Sequence, residues 1–243
     1  MLKELKEGRP VILETHPHYR TAIGVLGASL PVILIGASLA GFLPTPELHT
    51  SISAYYWTAM RDWFVGTLFV IGVFLFFYTY TPRNDGFEAR TKYDSVRDGK
   101  ADAWLGKVAG IAAVLVALLP TNPPPSTIQP PTIGMLHGVA AGILFTCLAL
   151  FPLLLFSQSR KKGRVYRVYG VAMLATLAAI VIYQFAPESF RTALAPAKPV
   201  LFLETFLIFV FGKSWFDKGR ELANPETDPA RIKTKPLITP ALD

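Results

Sequence analysis

A chain of 243 residues that is 51% hydrophobic and only 17% charged, with a mean hydropathy of +0.38, is too apolar for a water-soluble domain. Its net charge of +7 does not point to nucleic acid, because Lys and Arg fall in alternate loops instead of forming one stripe. The single cysteine, Cys147, excludes an intramolecular disulfide and a thiolate zinc site.

Residues 1–19 are polar, with Lys3, Lys6 and Arg9 beside Val11, Ile12 and Leu13, and read as a segment lying along a membrane surface. His16 and His18, flanking Pro17, read as solvated and not as metal ligands. Six apolar stretches follow, at about residues 21–43, 63–80, 103–119, 133–156, 168–185 and 200–216, each able as a helix to cross most or all of a hydrocarbon core about 30 Å thick. The expected fold is therefore all-α, a polytopic bundle of six transmembrane helices over residues 20–216 with a polar tail at 217–243. Ser38-Leu39-Ala40 resembles a signal-peptidase site, but the apolar run before it is too long for a usual leader, so the first span is expected to be retained. The second span is expected to extend outward as one helix from Thr50 or Ser51, either of which would cap it. A proline-rich run at residues 120–131 ends the third. Glycines spaced four apart, Gly106 with Gly110 and Gly138 with Gly142, form faces on which a second copy or a membrane-complex partner would pack.

Lys and Arg number about four before the first span, five in loop 81–102, five in loop 157–167 and six from Lys213 onward. The intervening loops carry one, none and two. This alternation predicts that both termini are cytoplasmic. Arg61, Asp62, His137 and Glu204 then fall near the outer ends of three different spans. Charge inside a membrane is costly, about 2.5 to 3.5 kcal/mol per residue at mid-span, so such groups are expected to face the bundle interior.

On one continuous helix Tyr55, Thr58, Asp62 and Gly66 would share a face, and Trp57 would stack on Arg61 at i,i+4. The functional reading is a polar cavity in which Arg61 binds an anionic group, with Tyr55, Trp57, His49 and Asn122 as further ligand-binding residues. Asp62, His137 and Glu204 are the candidate catalytic groups, orienting the ligand or moving protons. The competing reading is an aromatic belt with a snorkelled arginine. Neither metal nor cofactor is expected: only His49 and His137 lie on this side, and no Gly-x-Ser-x-Gly elbow or phosphate loop occurs. Loop 84–102 is rich in both signs of charge but lacks calcium-loop spacing. Residues 160–164 read as a topology signal, with anionic-lipid binding as the alternative.

The runs Ser51–Gly66, Ala117–Thr121, His137-Gly138 and Glu204 through Trp215 resemble a set of uncharacterised bacterial six-span membrane proteins. In size and topology alone the chain is also similar to the DRAM/Sfk/Frag group, some of which handle lipid. The leading functional expectation is a protein that binds, and in its stronger form modifies, a membrane lipid or other amphipathic ligand. The alternatives are a proton-linked small-solute transporter or channel and a structural subunit of a membrane complex. Whether the chain is an enzyme stays open at this point.

Overall fold

The computed structural model describes residues 17–44, 47–78, 100–123, 130–159 and 162–223. The polar N-terminal segment with His16, the acidic and basic loop 84–99, residues 124–129 of the proline-rich run and the tail beyond 223 lie outside the described residues. The long elements are helices α1 (Pro17–Leu39), α2 (Arg61–Phe76), α3 (Lys100–Leu118), α4 (Pro131–Leu150), α5 (Gly163–Gln184), the short α6 (Glu188–Leu194) and α7 (Pro199–Ala223). No strand occurs among the described residues. Among the described residues, four helices are long and apolar enough to cross a membrane: His18–Leu39, Thr132–Gln158, Gly163–Gln184 and Pro199–Ala223. Ala103–Leu118 and α2 are apolar but shorter. The chain is a membrane protein built of helices.

Proline and glycine set the helix ends. Pro131 opens α4, where a missing N–H costs nothing. Pro152, lacking its N–H, coincides with a π-helical turn at Phe151–Leu155. Gly41 closes α1 with φ of +75°. Its N–H donates to the Ser38 carbonyl and that of Phe42 to the Ala37 carbonyl, so the last carbonyls of α1 are satisfied by a Schellman turn that needs a left-handed residue.

The long helices form a closed ring in chain order, α1–α2–α3–α4–α5–α7, with the α1–α7 seam the most extensive. Glycine makes two of the seams tight. A Cβ on Gly24 would lie 2.5 Å from the Gly212 carbonyl oxygen, and one on Gly110 2.6 Å from that of Gly72. The Gly106 and Gly110 face, expected to dock a partner, is thus filled by α2 of the same chain. Gly138 and Gly142 meet nothing within 4 Å.

The second helix departs from expectation. It does not continue outward to Thr50 or Ser51: a separate 3-10 turn, Ser53–Trp57, is followed by a break at Thr58, whose backbone is extended at φ −121° and ψ 176°. Tertiary and local bonds hold this break. The Thr58 hydroxyl donates to the Tyr55 carbonyl at 2.8 Å and accepts the Met60 N–H at 3.1 Å, so the turn closes on itself and α2 restarts at Arg61. The expected shared face of Tyr55, Thr58, Asp62 and Gly66 is therefore lost. Two other helices run further than expected. α5 begins at Gly163, bringing Arg164 and Arg167 into its first turns, and α7 continues to Ala223 because Ser214, Trp215 and Gly219 keep one of its faces buried.

Candidate functional site

Residues 47–60, the Leu119–Thr121 turn and the start of α7 meet at one end of the ring. Glu204 is the anchor of this end. Its Oε2 accepts the Ile52 N–H at 2.6 Å, and the Ser53 N–H also bonds the carboxylate, so one side chain from α7 satisfies the free amides that open the 3-10 turn. Lys198 crosses between the same two segments and donates from Nζ to the Leu48 carbonyl. It does so from a left-handed backbone, φ 48°, uncommon for a side chain with a Cβ.

The other predicted residues take separate partners. Tyr55 is fully buried, its hydroxyl 2.8 Å from Ser38 Oγ, which staples the turn to α1. Trp57 Nε1 donates to the Thr121 carbonyl at 3.1 Å. Arg61 donates to the Tyr56 hydroxyl at 2.8 Å and lies 4.6 Å from the centre of that ring, so its aromatic partner is Tyr56 and not Trp57. The break at Thr58 puts Trp57 and Arg61 out of helical register, which is why the expected i,i+4 stack does not form. Asp62 and Asn122 are exposed, and a Cβ on Gly134 would come within 1.9 Å of Asn122 Oδ1, so glycine there lets the amide sit against the start of α4. Among the described residues no hydrogen bond or ion pair joins Arg61, Asp62, His137 and Glu204 to one another.

His137 is 4% exposed, and its Nδ1 lies 2.7 Å from the Leu119 carbonyl oxygen. A carbonyl can only accept, so Nδ1 carries the proton. In the neutral ring Nε2 is then a lone-pair acceptor. That nitrogen is buried with no hydrogen-bond partner, as are His49 Nε2 and the hydroxyl of Thr205, the residue after Glu204. His49 packs edge-on to Tyr55, ring centres 4.8 Å apart. Burial and then the Lys198 ammonium hold its pKa below the usual 6.5, with Glu47 opposing. Among the described residues no three His, Cys, Asp or Glu side chains group closely enough to hold a metal ion.

A family model described as "Protein of unknown function (DUF998)" matches residues 23–212, most of the chain. The chain belongs to the DUF998 family. No curated protein and no solved structure matches it. A family of unknown function agrees with the first resemblance drawn from sequence, and the looser likeness to the DRAM/Sfk/Frag group is not confirmed. The stretch shared with DUF998 contains all eight predicted site residues.

At the opposite end of this DUF998 protein lies a polar network that the sequence reading missed. Arg20, 2% exposed, donates to the Tyr78 hydroxyl at 2.7 Å and lies over the Tyr78 and Phe156 rings, 5.5 and 5.9 Å from their centres. Trp215 is fully buried against Tyr78, Phe151, Phe156 and Phe211, so side chains from α1, α7, the segment just after α2 and the turns that follow α4 plug this end of the ring. Beside the plug, the Glu221 carboxylate accepts from the hydroxyls of Ser159 and Tyr166, the latter at 2.8 Å, and pairs with Lys218 at 3.4 Å. Asp217 accepts from the Tyr169 hydroxyl at 2.9 Å and from Lys213. Counted only as topology charges, Arg20 and Lys218 gave little hint of burial. The signals present were the i,i+3 and i,i+4 spacings of Lys218 with Glu221 and Lys213 with Asp217.

Proposed function

We propose that this protein recognises the polar group of an amphipathic ligand, a membrane lipid first among them, at the Glu204 end. The observation that carries the reading is His137: a buried imidazole whose Nδ1 is fixed on the Leu119 carbonyl and whose Nε2 acceptor has no partner. An unpaired buried acceptor costs about 1 to 3 kcal/mol, and a ligand hydroxyl or ammonium donating to it removes that cost. In this reading Glu204 and Lys198 hold the recognition loop while His49 and Thr205 add unpaired polar atoms. Arg61 and the exposed Asp62 meet the charged part of the ligand at the rim.

With six spans and cytoplasmic termini, as the charge alternation argues, the site faces outward from a bacterial inner membrane. Modification of the ligand, with His137 Nε2 as base, is the stronger form of the same proposal. Transport and a purely structural role remain the competing classes, and the open Gly138 and Gly142 face favours a helical partner in the latter.

The test is His137→Asn in the full-length protein purified in mild detergent, with co-purifying amphiphiles identified by mass spectrometry. Asparagine keeps an N–H where Nδ1 donates and removes Nε2. Wild type should retain a selected hydroxyl- or amine-bearing lipid, and the variant about tenfold less of it at unchanged melting temperature, the worth of one hydrogen bond. Retention of the bulk membrane mixture by both proteins would sink the proposal.

A further inference from the structure

At the Glu221 end a cleft of about 340 Å³ opens between the end of α4 and the start of α5, lined by Ser157, Ser159, Lys162, Arg164 and Arg167. We propose that this cleft binds a phosphate group, carried either by an anionic phospholipid headgroup or by a soluble phosphate ester.

Three features point there. The cations converge on one hollow: Arg164 and Arg167, at i,i+3, share a face of α5, and Lys162 closes the cleft from the preceding turn. They also lack counter-charges. No side-chain hydrogen bond or ion pair occupies Lys162, Arg164 or Arg167 among the described residues, while the two carboxylates that α7 brings to this end are already engaged, Asp217 by Lys213 and Tyr169 and Glu221 by Ser159, Tyr166 and Lys218. Finally, the rim is held in place. Ser159 Oγ donates to Glu221 and accepts the Lys162 N–H at 3.1 Å, which ties the turn before α5 to α7.

Three unpaired cations around a hollow with room for roughly ten waters, at about 30 Å³ each, match a doubly or singly charged oxyanion better than a carboxylate side chain. The two guanidinium forks can each bind two phosphate oxygens, and the lysine adds a point charge. A topology signal alone requires a number of positive residues on one side of the membrane. It does not require them to line one cleft.

The test uses full-length protein in mild detergent and native mass spectrometry, with phosphatidylglycerol and phosphatidylcholine as the added lipids and glycerol 3-phosphate as soluble competitor. Replacing Lys162, Arg164 and Arg167 together by Gln should lower phosphatidylglycerol retention about fivefold for each cation removed, the usual worth of a basic residue at an anionic surface. A control variant, Lys213→Gln with Arg220→Gln, removes charge from the same end outside the cleft and should lose far less per charge. Retention unaffected by glycerol 3-phosphate assigns the site to lipid, and displacement by it assigns the site to a soluble phosphate ester. Equal losses per charge in the two variants, or equal retention of the two lipids by wild type, overturn the proposal.

Discussion

The two ends of the ring hold their charges differently. At the Glu204 end three charged side chains are tied to a backbone group or a tyrosine: Glu204 to the Ile52 and Ser53 amides, Lys198 to the Leu48 carbonyl, Arg61 to Tyr56. At the Glu221 end the side chains hold one another, in a chain from Ser159 and Tyr166 through Glu221 to Lys218. A charge clamped on backbone shapes a loop and leaves other polar atoms, such as His137 Nε2, without a partner. A network of side chains locks helices together, here by gathering Ser159, Tyr166 and Lys218 on one carboxylate, while Arg20 Nε and Trp215 Nε1 in the adjoining plug are donors left without a partner.

This contrast is easiest to break by removing one carboxylate at each end. Glu221→Ala leaves a Lys218 side chain only 14% exposed, together with two hydroxyl donors, without their acceptor, and should cost about 3 kcal/mol. The midpoint of unfolding in mixed micelles of a mild and a denaturing detergent measures it. Gly24→Ala should cost about 2 kcal/mol in the same assay, because its Cβ would lie 2.6 Å from the Phe216 backbone nitrogen and push α1 off α7 beside the plug. Glu204→Ala leaves two backbone amides open and should cost about 1 kcal/mol, most of it recovered by Glu204→Gln, whose amide oxygen still accepts. A Glu204→Ala loss equal to that of Glu221→Ala would erase the distinction between the ends.

The same distinction explains which parts of the molecule could be read in advance. All-α membrane architecture was legible because long apolar runs have few other solutions, and each expected span overlaps a long helix. The ring order was not legible, since it depends on which glycines find backbone opposite them: Gly110 does and Gly142 does not. At the site, composition and depth singled out Glu204 and His137 as groups needing partners. Their partners are the backbone of Ile52, Ser53 and Leu119, and a peptide amide or carbonyl leaves no trace in residue type. The break at Thr58 was hidden as well, because local propensity through Tyr55–Arg61 permits a helix, while the Thr58 hydroxyl instead bonds the Tyr55 carbonyl and the Met60 N–H. Arg20 was hidden by position. One basic residue near the start of a first span is the ordinary topology signal, and only tertiary structure shows it enclosed by Tyr78 and Phe156.

The smallest expected effect probes the Glu204 end by pH. Folded His49 is held neutral by burial and by Lys198, so its pKa lies below the 6.5 at which the unfolded chain takes up the proton. Below pH 6.5 the unfolded state therefore binds more protons than the folded one, and stability rises with pH through that window. The contribution is complete above 6.5 and is lost as pH falls through the lowered value. Unfolding midpoints at about pH 7.5 and about pH 5.5 should differ more for wild type than for His49→Gln, which has nothing to titrate there. Lys198→Gln should narrow the wild-type difference without abolishing it, since burial is the larger cause and remains. If Lys198→Gln instead removes the difference entirely, charge and not burial keeps this imidazole neutral, and His49 then faces a wetter space than His137 does. In that case the buried unpaired atoms left at this end would be His137 Nε2 on α4 and the Thr205 hydroxyl on α7.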